Sequence, residues 1–385
     1  MKIRYLMLHA YGMGGTIRTV VNQANAMAIA GHDVEIVSVV RRRTKPQFAI
    51  HRGVRLSTLV DQREGRLPDS LPRKAWRRVR GKMVPRGEFA ADYFTERVEK
   101  AVMDYVAGLD DGILVTTRPA LNLIAARRAA KGVIRVAQEH MNLDAYPDTI
   151  RREIARYYGR FDAVTVLTGT NRLQYQELLP KSRIVQIPNA VHKVDQERSK
   201  QDNPVVIAAG RLVPQKGFDL LIPAFAQVVA EHPEWRLRIF GTGPRQAQLI
   251  AKIDELGMQD HIALLGRTER LDEELTAASV YVLSSRFEGL PMVMIEAMTH
   301  ALPIVAFDCP TGPRDVLTDG VDGILVPPRD VDALAAGLKE VVSDQARRLE
   351  MGAAAAEAAR AYAPDVVMPM WETLFAELLP GERVG

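Results

Sequence analysis

Two glutamates, Glu288 and Glu296, stand eight positions apart in the run Phe287-Glu288-Gly289-Leu290-Pro291-Met292-Val293-Met294-Ile295-Glu296-Ala297-Met298. They flank a Gly-Leu-Pro turn and a short apolar stretch. With Pro291 opening a helix, Glu288 falls just before the first turn and Glu296 within the helix. Eight residues of helix rotate through about 800°, so the two carboxylates share roughly one face. The N–H groups of the helix start favour an anion in the same space. Carboxylates that accept from hydroxyls, beside a seat for an anion, suit a sugar nucleotide. Such a molecule carries hydroxyls at both ends and a diphosphate between them.

Other residues fit the same chemistry. Gly210-Arg211-Leu212 follows an apolar run, and Lys216-Gly217 comes shortly after. Arg211 and Lys216 read as two fixed cations able to neutralise a diphosphate, the arginine bidentately, or else as two solvated loop cations. Phe240-Gly241-Thr242-Gly243-Pro244 reads equally as a plain strand-to-helix turn and as a ligand contact. Leu264-Leu265-Gly266-Arg267 reads equally as an ordinary strand end and as a backbone seat for a nucleobase.

In the first half, Tyr11-Gly12-Met13-Gly14-Gly15-Thr16 places Gly14 and Gly15 before a helix, where backbone N–H groups can approach a phosphate. A turn without ligand is the other reading. No third glycine completes a nicotinamide fingerprint. Arg41-Arg42-Arg43 stands where that fingerprint needs an acidic residue. Gln138-Glu139-His140 ends another apolar run, so His140 is expected at the same crevice, able to bond a hydroxyl or assist its proton transfer. The window from 71 to 86 holds Arg73, Lys74, Arg77, Arg78, Arg80, Lys82 and Arg86 with no acidic residue. Leu71, Trp76, Val79 and Met83 interleave at helical spacing. The pattern suits an anionic polymer or a membrane surface, or else a solvated loop. No nucleic-acid motif accompanies it.

These residues need a scaffold, and the 385-residue chain has material for two domains. Short β-branched runs alternate with helical stretches, which argues for parallel sheets covered by helices. In the first half the runs are 3–8, 34–40, 54–59, 112–117, 133–137, 163–167 and 183–187. In the second they are 205–209, 236–240, 262–265, 280–283, 303–307 and 323–326. Helices are expected at 16–30, 88–107, 119–131, 149–158, 171–179, 219–231, 244–256, 291–299 and 331–342, with a last apolar one at 365–379. The expected organisation is a domain at 1–190, a polar linker at 191–203, a second domain at 204–364 and a crossover helix and tail at 365–385. Charge divides likewise. Residues 1–190 hold 32 Lys+Arg against 18 Asp+Glu, and residues 191–385 hold 19 against 29. Different partners for the halves, or mutual attraction, would each explain this. Cys309 is the only cysteine, the N-terminus shows no cleavable apolar segment, and no apolar stretch reaches the roughly 18 residues of a membrane span. A cytoplasmic protein is expected.

Together the motifs resemble the retaining nucleotide-sugar glycosyltransferases of family 4. The likeness is strongest over 205–326, where Glu-Gly-Leu-Pro, the Glu-x7-Glu spacing and Gly-Arg-Leu…Lys-Gly combine. The resemblance implies the GT-B fold: α/β, two doubly wound Rossmann-like domains facing each other across a cleft, with the C-terminal helix crossing back to the first. It also implies roles. Glu288 would bind donor-sugar hydroxyls; Gly289, Leu290 and the N–H groups of Met292 and Val293 would line sugar and phosphate. Glu296 would hold the ribose, Arg211 and Lys216 would stabilise the leaving diphosphate, and Gly14 and Gly15 would approach it. Arg267 would contact the donor and His140 would stand beside its sugar. The likeness implies no metal and no cofactor beyond the substrate.

Two departures stand out. Pro188-Asn189-Ala190-Val191-His192 lacks the family's usual glycine, and Asp315 stands where glutamate is common. The segment Asp308-Cys309-Pro310-Thr311-Gly312-Pro313-Arg314-Asp315 is similar to a subgroup that builds surface glycans, teichoic acids among them. The expected activity is transfer of a hexosyl unit from a UDP-sugar to an acceptor hydroxyl, with retention. The acceptor is expected to be an anionic or lipid-linked glycan met at the inner membrane face, with Arg73, Lys74, Arg77 and Arg78 as the contact. A sugar-nucleotide epimerase of the same fold and a non-catalytic binder of anionic polymer remain open.

Overall fold

The computed structural model describes residues 1–63 and 81–379. Residues Arg73, Lys74, Arg77 and Arg78 of the expected acceptor patch lie outside this range. The chain divides into two compact units, 1–188 with 367–385, and 189–366.

Among the described residues the first unit has seven parallel strands: β1 (Lys2–Met7), β2 (Asp33–Arg41), β3 (Val54–Asp61), β4 (Ile113–Thr116), β5 (Ile134–Gln138), β6 (Ala163–Val166) and β7 (Ile184–Gln186), in the order β3-β2-β1-β4-β5-β6-β7. Its helices are α1 (Gly15–Ile29), α2 (Glu96–Ala107), α3 (Pro119–Arg128), α4 (Asp148–Tyr157) and α5 (Gly169–Leu178). Ile3, Tyr5, Leu6, Ile113, Leu114 and Val115 are fully buried. The near-continuous apolar strands follow from burial on both faces, as parallel sheets require.

The second unit repeats the plan with six strands: β8 (Val205–Ala209), β9 (Arg236–Phe240), β10 (Ile262–Gly266), β11 (Val280–Leu283), β12 (Ile304–Phe307) and β13 (Gly323–Val326), in the order β10-β9-β8-β11-β12-β13. Its helices are α6 (Phe218–Val229), α7 (Gln246–Glu255), α8 (Leu271–Thr276), α9 (Met292–Thr299), α10 (Pro313–Val316), α11 (Val331–Ser343) and α12 (Gln345–Ala358). Strand order reverses between β1 and β4 in the first sheet and between β8 and β11 in the second. In open parallel sheets, the carboxyl ends of strands at such points border the ligand crevice.

The last helix, α13 (Pro364–Leu378), starts in the second unit and from Val367 onward belongs to the first. Val367, Trp371, Leu374 and Phe375 are buried. Glu372 approaches His32 at 3.6 Å, and Glu377 pairs with Arg183.

Three expectations are revised. The stretch 191–203 does not hang free: Ser199 N–H donates to the His300 carbonyl at 2.8 Å and Gln201 Nε2 to that of Ala301 at 2.6 Å. The buried side chains of Ser199 and Gln201 satisfy carbonyls of the second unit, while most other polar side chains of the stretch face solvent. The helix expected over 88–107 is shorter, because the Thr95 side chain accepts from Val98 N–H and starts α2 there. Helix α12 was not foreseen. Its run of alanines lacks an apolar stripe and packs by smallness: a Cβ on Gly352 would lie 2.0 Å from the Ala301 carbonyl oxygen.

Candidate active site

The second unit's switch point is built from two loops. After β8 the chain passes Gly210 and Arg211, makes a 3₁₀ turn over Pro214–Lys216, and enters α6 through Gly217. Gly217 has φ 65°, and a Cβ there would meet the Ser284 carbonyl oxygen at 1.9 Å. Only glycine fits both demands. After β11 the chain runs through Ser284, Ser285 and Glu288 to α9. The loops are laced together: Arg286 N–H donates to the Gln215 carbonyl at 2.8 Å, Gln215 Nε2 to that of Phe287 at 3.0 Å, and Ser284 Oγ to that of Lys216 at 2.9 Å. Arg286 also clamps Asp219 at 2.7 and 2.9 Å, which holds that carboxyl below its usual range.

This lacing sets the central pair. Lys216 Nζ donates to Glu288 Oε1 at 2.6 Å, and Ser285 Oγ donates to the same oxygen at 2.5 Å. Both partners are largely withdrawn from solvent; the Glu288 side chain is 7% exposed. Lys216, expected as a fixed cation for a diphosphate, is fixed on Glu288 instead, and its stem lies across Gly210. A Cβ on Gly210 would stand 3.1 to 3.3 Å from three carbons of that stem. Arg211 is exposed and pairs with no described carboxylate. Glu288 N–H donates to the Pro310 carbonyl at 3.0 Å. Gly289 and Leu290 lead into Pro291, the residue preceding α9, and Met292 N–H turns back to the Leu290 carbonyl at 2.9 Å. Val293 sits in the first turn and Glu296, buried, further along the helix.

Tyr281, on β11, is fully buried with its hydroxyl unpartnered. Burial and the charges of Glu288 and Glu296 raise its pKa strongly. Cys309 is buried as well, and burial together with Glu288 pushes its thiol up to about 12. Arg267, after β10, is exposed and lies 3.6 Å from Glu269. The chain's Asp-x-Asp, Asp330-Val331-Asp332, has structural work: Asp330 caps α11 through Ala333 N–H, and Asp332 accepts from Gln227 Nε2 at 2.8 Å.

In the first unit, Gly14 precedes α1 with φ 153°, and the space beside Gly14 and Gly15 is open to 4 Å. The fold does not need small residues there for packing. His140 follows β5. Both its ring nitrogens are inaccessible and without hydrogen-bond partners. Burial, aided by the Arg118 charge, lowers its pKa to about 4. The ring is therefore neutral near pH 7, able to donate at one nitrogen and accept at the other.

Behind His140 is a buried carboxylate that sequence reasoning passed over. Glu139 accepts from Asn122 Nδ2 at 2.7 Å, Tyr146 OH at 2.8 Å and Tyr158 OH at 2.5 Å. Burial raises its pKa despite these donors. Arg118 is fixed by Glu88 at 2.7 Å. Ser285 and Tyr281 were also missed. The available signal was polar residues closing an apolar strand: Glu139 after β5, Ser284 and Ser285 after β11.

Residues 192–358 match the model of a family described as glycosyl transferases group 1. Over 98% of this chain, an exopolysaccharide phosphotransferase of Streptomyces coelicolor is 35% identical, and the chain spans 41% of that protein's length. Over residues 192–358 the chain is thus similar to the group 1 glycosyl transferases. A further relative is the poly(ribitol-phosphate) alpha-N-acetylglucosaminyltransferase of Staphylococcus aureus, 28% identical over 63% of this chain and 50% of its own. Among solved structures, a variant of S. aureus TarM in complex with fondaparinux, alpha-GlcNAc-glycerol and UDP superposes with a TM-score of 0.78 at 17% identity, over 97% of this chain and 100% of that one. The chain thus has the GT-B fold, with helices on both parallel sheets.

Proposed function

We propose that this protein is a group 1 transferase that moves a hexosyl unit from a UDP-sugar to an acceptor hydroxyl, with retention of anomeric configuration, in the assembly of an anionic or lipid-linked surface glycan. The observation that carries this reading is the buried Lys216–Glu288–Ser285 cluster at the switch point of the second sheet, beside the exposed Arg211. A carboxylate oxygen held by a lysine and a serine is fixed in place. Its remaining accepting capacity is available to sugar hydroxyls. Arg211 supplies a bidentate cation for the diphosphate. Stabilising the leaving diphosphate at a preformed cationic site lowers the barrier without reorganisation. The acceptor hydroxyl attacks on the face from which the diphosphate leaves. Glu296 is assigned the ribose hydroxyls, and Gly289, Leu290 and the first turn of α9 the sugar and phosphate. His140, neutral, is assigned a sugar hydroxyl, and Glu139 holds the strand end that carries it.

No metal is needed where cations already neutralise the diphosphate, and activity is expected to survive chelation. No described helix is long and apolar enough to cross a membrane; a cytoplasmic enzyme working at the inner membrane face fits this reading.

The test is the nucleotide product. With a UDP-sugar and a polyol-phosphate acceptor, release of UDP marks glycosyl transfer. Release of UMP would mark transfer of the sugar phosphate and defeat the proposal. Conversion of the donor without acceptor would identify an epimerase.

A further inference from the structure

Arg41, Arg42 and Arg43 stand at the carboxyl end of β2, on the crevice side of the first sheet, and the donor chemistry above does not use them. Arg41 lies over the Tyr11 ring at 4.6 Å, and its guanidinium donates to the carbonyls of Arg43 at 3.2 Å and Thr44 at 2.6 Å. Tyr11 is itself buried, with its hydroxyl 3.3 Å from Thr58 Oγ1 on β3. Arg42 lies over the Tyr93 ring at 4.2 Å, and its Nε donates to Gln62 Oε1 at 2.9 Å. Arg42 and Arg43 are exposed. None of the three forms an ion pair with a described carboxylate. Asp61, opposite Arg41 in the strand register, is clamped by Arg63 at 2.6 Å. Next to burial, the charges of Arg42 and Arg43 hold His9 below its ordinary range, so both guanidiniums act on the loop that follows β1.

We infer that Arg41 and Arg42, fixed by Tyr11, Tyr93 and Gln62, form with the exposed Arg43 a subsite for the phosphodiester groups of a polyol-phosphate acceptor chain. Stacked guanidiniums with no described counter-ion are prepaid cations, and planar forks match phosphate oxygens. Arg41 shapes the turn, leaving Arg42 and Arg43 to meet the ligand. Fixed cations suit a ligand whose own charges recur at fixed spacing. A fluid membrane surface rearranges its headgroups and gains little from such order. The inference rests on the transferase reading for the acceptor's role, while the binding itself is measured separately.

The probe is a fluorescent poly(glycerol phosphate) oligomer, with dextran of equal length as the neutral control and phosphatidylglycerol vesicles as the lipid control. Binding at low salt is compared for the full chain and for Arg42→Gln/Arg43→Gln. The double variant is expected to lose affinity for the oligomer roughly tenfold or more. The single Arg43→Gln, whose side chain bonds nothing described, should lose about threefold and serves if the double variant folds poorly. UDP affinity should stay unchanged, and raising salt should flatten the difference. Equal oligomer affinity in all proteins overturns the inference. So does a parallel loss of UDP affinity, which would move these arginines to the donor. Loss of vesicle binding with oligomer binding intact overturns it in favour of lipid. UDP release by the wild type separates failure of the transferase reading from failure of this one.

Discussion

At the carboxyl end of the second sheet, Lys216 and Glu288 meet at 2.6 Å and a serine secures the same oxygen. At the carboxyl end of the first sheet, Arg41, Arg42 and Arg43 have no described carboxylate partner, and His140 has two unpartnered ring nitrogens. The second unit carries its opposite charges inside the protein, already paired. The first carries cations and a neutral imidazole that something else must satisfy. Buried pairs cost desolvation and hold geometry; unpaired groups at a crevice remain free to recognise. Under the proposed function, the difference means that one sheet end positions reacting groups and the other receives a molecule.

Breaking the internal pair should have the largest effect. Lys216→Ala leaves Glu288 buried without its cation. Turnover should fall about a thousandfold, and stability should fall by about 3 kcal/mol. Steady-state rates and denaturant unfolding measure both. Adding Glu288→Gln should restore part of the stability and none of the turnover; intact stability in the single variant would mean the pair is not coupled.

Arg211→Ala sharpens the contrast within the same loop. Turnover should drop about a hundredfold, with stability changed by no more than about 0.5 kcal/mol because the side chain is exposed. A stability loss as large as that of Lys216→Ala would make Arg211 structural.

His140 separates the first unit by pH. Its folded pKa, about 4, lies below the ordinary histidine value. The unfolded chain therefore takes up the proton first. Stability should fall as pH drops from about 6.5 to about 4, by no more than about 3 kcal/mol, and then stay level with respect to this group. His140→Gln should lack that slope. Unfolding curves across the pH range that overlay for the two proteins would show the ring already solvated.

The smallest expected effect is that of a chelator. Turnover measured with and without one should agree, since Arg211 is assigned the neutralising of the diphosphate. Loss of activity with rescue by magnesium or manganese would undo that assignment.

Much of this was legible in the sequence. All thirteen strands were located, because parallel strands buried on both faces read as continuous apolar runs. Arg211 and Lys216 were placed beyond a strand end by the same logic, and Glu288 and Glu296 before and within a helix by the Gly-Leu-Pro turn. Pairing was not legible. Nothing in the spacing of Lys216 and Glu288, 72 positions apart, says that they touch; adjacency of β8 and β11 decides it. Glu139 was overlooked because its neighbour His140 offered the more familiar chemistry, and its three donors come from positions 122, 146 and 158. Helix α12 escaped because alanines carry no periodic signal.

The last helix has a consequence for the chain's birth. On the ribosome, residues 1–188 emerge first, yet Val367, Trp371, Leu374 and Phe375, grouped with them, follow only after all of 189–366. At usual elongation rates that delay is roughly 10 to 35 s. During it the nascent first unit lacks the helix to which Arg183 and His32 bind. Chaperones have that interval in which to hold it.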